Sequence, residues 1–290
     1  MGKTAKLSII IVSYNTKKLL NDCLHSLEKV AREADFEVVV CDNRSVDGSV
    51  DMIKKSFPWV KLIVNDNNLG FAKGNNVARG IALGKYILFL NPDTLVFPGA
   101  IGKTISYLDT HKEVGAITCK VVLPNGKLDK DTRRSFPTPW VALTHFSGLD
   151  RVFPKSKIFS KYWYGYLSAS FEHEVDVLQG AFFMTRKKIL DKVGWFDEDY
   201  FLNGEDIDLC WRIKLLKYKI IYFPEVKIIH LKKGSKKKAK SLKIELAGVE
   251  AMEIFYRKRL WKRYSLLTSY SVIFGIKIIK LVRLVKYYFL

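Results

Sequence analysis

Four clusters of Ser, Asn and Asp each follow a short apolar run, and side chains of these types can hydrogen-bond a polar ligand. In an open α/β sheet ligands gather at the carboxyl ends of the strands, so four loops that begin there would converge on one crevice. The alternative is that these residues only form turns, but it does not explain why every cluster is polar where a ligand would lie. The clusters are Ser13-Tyr14-Asn15, Asp42-Asn43, residues 65–68 and Asn91-Pro92-Asp93.

A fifth, acidic cluster follows Gly204 and contains Glu205, Asp206 and Asp208, in the first turn of a predicted helix. Carboxylates at that place match the positive end of the helix dipole. Paired carboxylates can also act as the acid and the base of an inverting glycoside hydrolase, although such an enzyme would leave the four polar loops without a role. Asp208 should point away from Asp206 and pair with Arg212, four residues further along the helix.

The elements that must position these clusters are visible in the first 111 residues, where runs rich in Val and Ile alternate with segments of helical period. Because the runs are apolar at nearly every position, both faces of their sheet must be covered, which favours a parallel, doubly wound arrangement. The candidate strands are residues 7–12, 36–41, 60–64 and 86–90, and the candidate helices lie near 16–33, 46–56, 71–83 and 99–111.

The second half of the chain is less regular. Residues 120–175 are rich in Pro and aromatic residues and lack periodicity, which indicates an irregular excursion or a lid. Strand character returns at residues 175–185, 219–223 and 226–230. No internal repeat or Walker-type glycine loop is found in the sequence.

Composition is that of a globular protein, since the 290 residues are 48% hydrophobic and 13% aromatic. The cysteines form no C-x-x-C pair, so we expect buried free thiols in a reducing compartment. The apolar run at residues 7–12 is too short for the core of a signal peptide, which argues against secretion. The cysteines are Cys23, Cys41, Cys119 and Cys210.

The formal net charge of +20 is concentrated near the C-terminus. Residues 232–290 contain sixteen Lys or Arg against three Glu, a net charge of +13, which points to an anionic partner. The uncharged stretch over residues 265–276 is too short to span a bilayer.

Beyond that stretch the helical pattern is amphipathic, with apolar side chains in one arc and cations on the opposite half. This pattern is typical of a helix in a membrane interface with aromatic anchors, so the tail is predicted to bind an anionic membrane surface. A helix packed on the domain is the alternative, and nucleic-acid binding is not expected because no nucleic-acid motif accompanies the charge. The arc is Ile278, Leu281, Val282, Val285 and Phe289, the cations are Lys277, Lys280, Arg283 and Lys286, and the anchors are Trp261, Tyr264, Tyr287 and Tyr288.

Seven motifs follow one another between residues 6 and 235. They are Val12-Ser13-Tyr14-Asn15, Asp42-Asn43-Arg44-Ser45 with Asp47-Gly48-Ser49, Asn68-Leu69-Gly70-Phe71-Ala72 with Gly74-Asn75-Asn76, Leu90-Asn91-Pro92-Asp93-Thr94, Gln179-Gly180-Ala181, Gly194-Trp195-Phe196-Asp197-Glu198, and the run from Glu205-Asp206 to Trp211-Arg212. Each is weak evidence alone, but the ordered series is highly specific. It resembles family 2 glycosyltransferases, especially the rhamnosyltransferase-like branch.

The resemblance implies an α/β fold of GT-A type, a Rossmann-like mixed sheet flanked by helices, over residues 1–235. Residues 1–119 would bind the nucleotide sugar, residues 120–235 would form the acceptor and catalytic half, and residues 236–290 would be a basic, amphipathic helical tail. It also implies a dTDP- or UDP-sugar as donor, with dTDP-rhamnose favoured, a glycan or lipid-linked acceptor, and Mg²⁺ or Mn²⁺ as cofactor.

Two of the corresponding residues are metal ligands in the family. Asn91-Pro92-Asp93 occupies the place of an Asp-x-Asp motif, with Asn91 in place of the first acid. Asp93 is therefore expected to hold a cation on the donor's diphosphate, unless it only caps the helix near Gly99. His230 corresponds to a histidine that can ligate the metal, although Lys232 and Lys233 follow it and could face the diphosphate instead. Asp42 is expected to accept a hydrogen bond from the base or ribose, unless it only caps the next helix. The expected donor-binding residues are Ser13, Tyr14, Asn15, Asp42, Asn43, Gly70, Lys73, Asn75, Asn91 and Asp93.

The pair Glu205-Asp206 matches the family's acidic pair, in which the Asp is the catalytic base. An acceptor hydroxyl must lose its proton as it attacks the anomeric carbon from the face opposite the diphosphate, and Asp206 can take that proton. The expected result is inversion at that carbon. On the acceptor side we expect Gln179, Gly180, Trp195 and Glu205, with Trp195 either a wall for a sugar ring or part of the core.

Two other classes of function remain open. A nucleotidyltransferase could use the same crevice, but it would need a Gly- and Lys-rich triphosphate loop near the N-terminus, which the sequence lacks. A non-catalytic membrane or nucleic-acid binding module would not need Asp206. The sequence therefore predicts an inverting glycosyltransferase of cell-envelope polysaccharide synthesis, peripheral on the cytoplasmic face of the cell membrane.

Overall fold

The computed structural model describes residues 5–232 and 241–289, and within them one mixed sheet of nine strands carries the fold. Its order is β3-β2-β1-β4-β10-β6-β11-β5, with β8 paired to β11, while β7 and β9 form a separate pair. The strands are β1 Leu7–Ser13, β2 Phe36–Asp42, β3 Lys61–Val64, β4 Tyr86–Leu90, β5 Thr94–Val96, β6 Val114–Val122, β7 Arg133–Arg134, β8 His173–Glu174, β9 Val177–Leu178, β10 Phe182–Arg186 and β11 Lys219–His230.

Helices cover both faces of this sheet. They are α1 Lys17–Lys29, α2 Ser49–Ser56, α3 Gly70–Asn76, α4 Ala100–Thr110, α5 Pro139–Phe146, α6 Leu149–Val152, α7 Lys187–Val193, α8 Glu205–Leu215, α9 Leu242–Phe255 and α10 Leu266–Phe289. Alternate residues of β1 belong to different cores, since Ile9 and Ile11 lie in one cluster and Ile10 in the other. This burial on both faces explains why the predicted strands are apolar at nearly every position.

The sheet is parallel from β3 to β4 and mixed beyond it. β1 pairs in parallel with β2 and β4, as the first four predicted strands require, while β10 runs antiparallel between β4 and β6. The mixed sheet implied by the resemblance is therefore confirmed, and the wholly parallel arrangement suggested by the apolar runs is corrected. Strands from both predicted halves of the chain interleave in this one sheet.

Two strand predictions need correction. The predicted strand over residues 175–185 is divided into β9 and β10 by the turn around Gly180. The two predicted strands at 219–223 and 226–230 form the single strand β11, which shifts register against β6 between Phe223 and Lys227. The short strand β5 and the strand β6 were not identified from the sequence pattern.

The region after residue 241 packs on the domain. α9 supplies Val249, Ala251 and Phe255 to a core cluster, and α10 lies against it with Ile273 and Ile276 buried. Among the described helices, none is long and apolar enough to cross a membrane. The expected burial of all four cysteines is confirmed.

Candidate active site

A cleft of about 480 Å³ opens at the carboxyl ends of β1, β2 and β4, as the four polar loops predict. Its size is that of a small-molecule site. Ten of the predicted site residues line it: Tyr14, Asn43, Gly70, Asn91, Asp93, Gln179, Gly180, Glu205, Asp206 and His230.

Asn43 joins the loops on the donor side of the cleft. Its amide nitrogen donates to the Gly70 carbonyl at 3.0 Å and to Asn68 Oδ1 at 3.2 Å, while its oxygen accepts from Asn65 Nδ2 at 3.0 Å. Gly70 adopts a φ of +77°, and a Cβ there would come within 2.2 Å of the Phe201 carbonyl oxygen. Both residues therefore set the shape of the loop after β3.

Asp42 lies at the end of β2, fully buried beneath this loop. Its Oδ1 accepts from the Ser45 backbone N–H at 2.7 Å, in the turn before α2, whose N-cap is Gly48 and not Asp42. Its Oδ2 is buried and has no hydrogen-bond partner in the described part of the chain. A buried acceptor left without a partner is costly unless a ligand satisfies it.

Five predicted donor-side residues do not line the cleft. Ser13 is buried and its Oγ lies 2.9 Å from Thr16 Oγ1, and Asn15 accepts from the Val46 backbone N–H at 2.8 Å. Asn75 is buried and donates to the Phe71 carbonyl at 2.9 Å. These contacts assign them to the support of the loops. The remaining two are Asp42 and the exposed Lys73.

Asp93 and His230 are brought together by strand pairing. β5 and β11 are antiparallel with Thr94 opposite His230, and the Leu231 backbone N–H donates to the Asp93 carbonyl. His230 Nε2 lies 3.2 Å from Asp93 Oδ1 and 3.4 Å from Asn91 Nδ2. The Asp-x-Asp position and the family histidine therefore meet in the cleft.

Asp129, which the sequence did not identify, holds the other side of the His230 ring. Its Oδ2 lies 3.0 Å from His230 Nδ1, and its Oδ1 lies 2.7 Å from Lys232 Nζ. Burial opposes the charged form of His230, but the hydrogen bonds to Asp129 and Asp93 outweigh it and raise the pKa of His230 to about 9. Burial would raise the pKa of Asp129, yet the bonds from His230 and Lys232 hold it at about 2.

The chemistry of this group suits a hard or borderline cation. A carboxylate on one ring nitrogen of a histidine directs the other nitrogen towards a metal, and here Nε2 faces Asp93. No three His, Cys, Asp or Glu side chains among residues 5–232 and 241–289 form a complete metal site. Asp93 and His230 are therefore the two residues that could hold a cation, which would take further oxygens from a ligand or water. Lys233 lies outside the described residues.

Asp206 stands in the first turn of α8, as predicted, and is paired with an arginine that the sequence did not identify. Arg134 Nη2 donates to Asp206 Oδ2 at 2.5 Å, and both side chains are about nine-tenths buried. Burial works against the charge of Arg134, but Asp206 overcomes it and raises the pKa of Arg134 well above its ordinary value. Arg134 lies in β7, within the irregular excursion, where the adjacent pair Arg133-Arg134 was the only sequence signal.

The acceptor-side predictions have mixed outcomes. Gln179 lines the cleft, and its Oε1 is buried without a partner in the described structure. Gly180 also lines the cleft, but a Cβ there would lie 3.0 Å from the Phe71 ring, so packing already requires a small residue. Trp195 is fully buried in the core, donates to Asp191 and does not line the cleft, so its acceptor-wall role is corrected to the core alternative.

Residues after position 241 reach the cleft as well. Ile244 lines it, and Lys243 Nζ lies 3.6 Å from the centroid of the Phe201 ring. Asp208 accepts from Arg212 Nε at 2.7 Å, as predicted, and also from Arg259 Nε at 2.6 Å. The region after 241 therefore helps to build the site, which the charge pattern alone did not indicate.

Comparisons with known proteins agree with this geometry. The family model for glycosyl transferase family 2 matches residues 8–194. An N-acetylglucosaminyl-diphospho-decaprenol L-rhamnosyltransferase of Mycobacterium tuberculosis is 28% identical over 80% of this chain and 78% of its own length. The rhamnosyltransferase WbbL of Escherichia coli is 27% identical over 77% of this chain and 82% of its own.

Solved structures share the fold. The mannosyltransferase PcManGT of Pyrobaculum calidifontis, in complex with GDP-Man and Mn²⁺, superposes with a TM-score of 0.58 at 19% identity. The match covers 88% of this chain and 65% of that one. The GT-A type fold implied by the sequence motifs is therefore confirmed.

Proposed function

The chain belongs to glycosyl transferase family 2 and is a glycosyltransferase, and from that premise we propose that it transfers L-rhamnose from a nucleotide sugar to a lipid-linked sugar with inversion. The observation that carries the proposal is that Asp93, His230 and Asp206 line one cleft. Such a cleft can hold a diphosphate leaving group and an attacking hydroxyl at the same time.

The donor's base would lie against Tyr14 on the side of β2. A thymine or uracil base carries an N–H donor, and the unpartnered Oδ2 of Asp42 is a buried acceptor near the end of that strand. A base that satisfies this oxygen gains a hydrogen bond and removes the penalty of the empty acceptor. This supports a dTDP- or UDP-sugar as donor, with dTDP-rhamnose favoured by the relatives' names.

The diphosphate would lie beside Asp93 and His230. These residues would hold Mg²⁺ or Mn²⁺, with Asp129 fixing the His230 ring through Nδ1. Such a cation would neutralise the negative charge that develops on the leaving diphosphate. Lys232, which lines the cleft beside Asp129, adds a protein cation on the same side.

Asp206 is proposed as the general base. The acceptor oxygen forms a bond to the anomeric carbon, its proton passes to Asp206, and the bond to the diphosphate breaks with its electron pair leaving on the nucleotide. Attack from the face opposite the diphosphate inverts that carbon. Arg134 holds the Asp206 carboxylate in one orientation through the hydrogen bond from its Nη2.

The acceptor is proposed to be a sugar on a polyprenyl diphosphate, because the mycobacterial relative's name specifies one. The apolar arc of α10 from Ile278 to Phe289 is exposed rather than packed on α9. Together with Lys277 and Lys286 it supports peripheral attachment to the anionic cytoplasmic face of the cell membrane.

A panel of sugar nucleotides with Mn²⁺ tests this function. Calorimetry should show binding of dTDP-rhamnose in preference to GDP- and CMP-sugars, and NMR of the product on a synthetic polyprenyl-diphosphate N-acetylglucosamine should show an anomeric configuration opposite to the donor's. Binding of none of these nucleotides, or retention of configuration, would refute the proposal.

A further inference from the structure

The helix α5 and the turns that follow it expose large apolar side chains of a kind that proteins normally bury. Trp140, Leu143 and Phe146 are between 47% and 58% exposed, whereas Val141 and Thr144 of the same helix are buried. The helix therefore presents its large apolar side chains to solvent. This surface continues through Val152, Phe153 and Ile158, which are also exposed. We call it the outer patch and define it as Trp140, Leu143, Phe146, Val152, Phe153 and Ile158. Exposed apolar patches of this kind mark interaction sites.

The outer patch is held in a fixed shape. His145 Nδ1 and Asp150 Oδ2 lie 2.6 Å apart and tie α5 to α6. The Phe153 and Phe159 rings pack at 5.2 Å, and Trp140 Nε1 donates to the Ile158 carbonyl. These contacts therefore hold in place the segment that carries the apolar side chains of the outer patch.

The charge around the outer patch is positive. Arg151, Lys155, Lys157 and Lys161 are exposed beside it. Between residues 135 and 171 the only acidic residue is Asp150, which is buried and paired with His145. A surface that combines exposed aromatic and aliphatic side chains with unopposed cations is complementary to an anionic lipid bilayer, with its negative headgroups and apolar interior.

The same segment is in contact with the pair formed by Arg134 and Asp206. The Ser135 backbone N–H donates to the Tyr162 carbonyl, and the His145 ring packs 4.6 Å from the Tyr162 ring. Burial raises the pKa of Tyr162, and the Arg134 guanidinium beside its hydroxyl works against that rise. Arg134 in turn bonds Asp206. The outer patch thus lies on a segment that is connected, through Tyr162 and Arg134, to Asp206, the carboxylate proposed to activate the acceptor.

We propose that the outer patch inserts into an anionic bilayer as a membrane contact separate from α10, and so brings the acceptor side of the cleft to the lipid surface. The proposal rests on the proposed function only in taking a membrane as the location of the acceptor. Two contacts, one on α5 and one on α10, would fix the orientation of the cleft, which a single helix would leave free to rotate.

A site-specific fluorescent label tests the proposal in the full chain. The four native cysteines are buried, so Leu143→Cys provides an accessible thiol for an environment-sensitive dye. Leu83→Cys is the matched control because Leu83 and Leu143 are both 58% exposed. Leu83 precedes β4 and so lies near the amino end of that strand, whereas the cleft opens at the carboxyl ends. With phosphatidylglycerol vesicles, dye at position 143 should become brighter and shift to shorter wavelength, while dye at position 83 should not change.

Substitution provides the second arm. Leu143→Glu with Phe146→Glu should weaken binding to phosphatidylglycerol vesicles by about tenfold or more, while Leu83→Glu should leave it unchanged. An unresponsive dye at position 143 would overturn the proposal even if α10 still bound the vesicles. A dye response that follows protein concentration without vesicles would also overturn it, in favour of a second copy of the chain. Neither readout requires sugar transfer, so a failure of the transferase proposal is detected separately.

Discussion

The guanidinium of Arg134 donates to the carboxylate of Asp206 at 2.5 Å, which links the short strand β7 to the first turn of α8 across the acceptor side of the cleft. The two residues are far apart in sequence, and each is about nine-tenths buried. Their pairing fixes the orientation of the proposed base before any acceptor arrives.

Replacement of Arg134 should therefore affect turnover more than donor binding. We expect Arg134→Ala to lower kcat by about tenfold or more, because Asp206 loses its fixed orientation, and to leave the donor Kd nearly unchanged. Arg134→Lys should recover only part of the rate, since an ammonium cannot reproduce the planar guanidinium contact. Steady-state kinetics with calorimetry of donor binding measures both quantities, and a normal kcat in Arg134→Ala would contradict this role.

Asp208 should matter for stability instead. It is fully buried and accepts bonds from Arg212 and Arg259, so Asp208→Asn would remove the paired carboxylate of Arg212 and leave Arg259 with Asp197 at 3.7 Å. We expect a loss of about 3 kcal/mol in the free energy of unfolding, typical of a broken buried ion pair. Urea denaturation measures this loss. Asp199→Asn, at an exposed carboxylate near Lys258, is the control and should change stability by less than about 1 kcal/mol.

Asp93 should be required for cation-dependent donor binding. Because it is the only acid in Asn91-Pro92-Asp93, Asp93→Ala should nearly abolish transfer and weaken donor binding in the presence of Mn²⁺. Titrating the protein with the donor, once in Mn²⁺ and once in EDTA, compares donor binding with and without the cation. Asp51→Ala on the exposed face of α2 serves as a folded control. If a folded Asp93→Ala bound the donor with unchanged dependence on Mn²⁺, the ligand assignment would be wrong.

The exposed face of α10 should bind anionic vesicles. Phe274 and Ile278 lie one turn apart and are 67% and 47% exposed, so Phe274→Glu with Ile278→Glu should reduce flotation with phosphatidylglycerol vesicles while leaving the fold intact. These positions are preferable to a truncation near residue 240, which would remove the buried side chains of α9. Equal flotation of the variant and the parent chain would exclude α10 as a membrane contact.

Much of the donor side could be predicted from sequence because its residues follow strands directly. The apolar runs locate β1, β2 and β4, and the polar residues after them must therefore lie at one edge of the sheet. Asp93 and Asp206 belong to short motifs that become recognisable as parts of the ordered series. Their positions depend on local structure that the sequence encodes within a few residues.

The parts of the site and fold that could not be predicted depend on contacts between segments that are distant in the sequence. Asp129 and Arg134 lie in a segment without periodicity, and only the folded chain brings them to His230 and Asp206. Trp195 is of a type that suits either a sugar-binding wall or a core, and its packing against Phe89 decides for the core. The charge of the C-terminal region indicated a membrane, but it did not reveal that α9 completes the domain.

Substitution of Asp206 by asparagine tests whether this carboxylate is the general base of sugar transfer. Asn has the same shape and can still accept a hydrogen bond from Arg134, but it cannot take a proton from the acceptor. We expect Asp206→Asn to bind the nucleotide sugar with unchanged affinity and to transfer it about a hundredfold or more slowly than the parent chain. Single-turnover transfer at the normal rate would contradict Asp206 as the base, and with it the proposed mechanism.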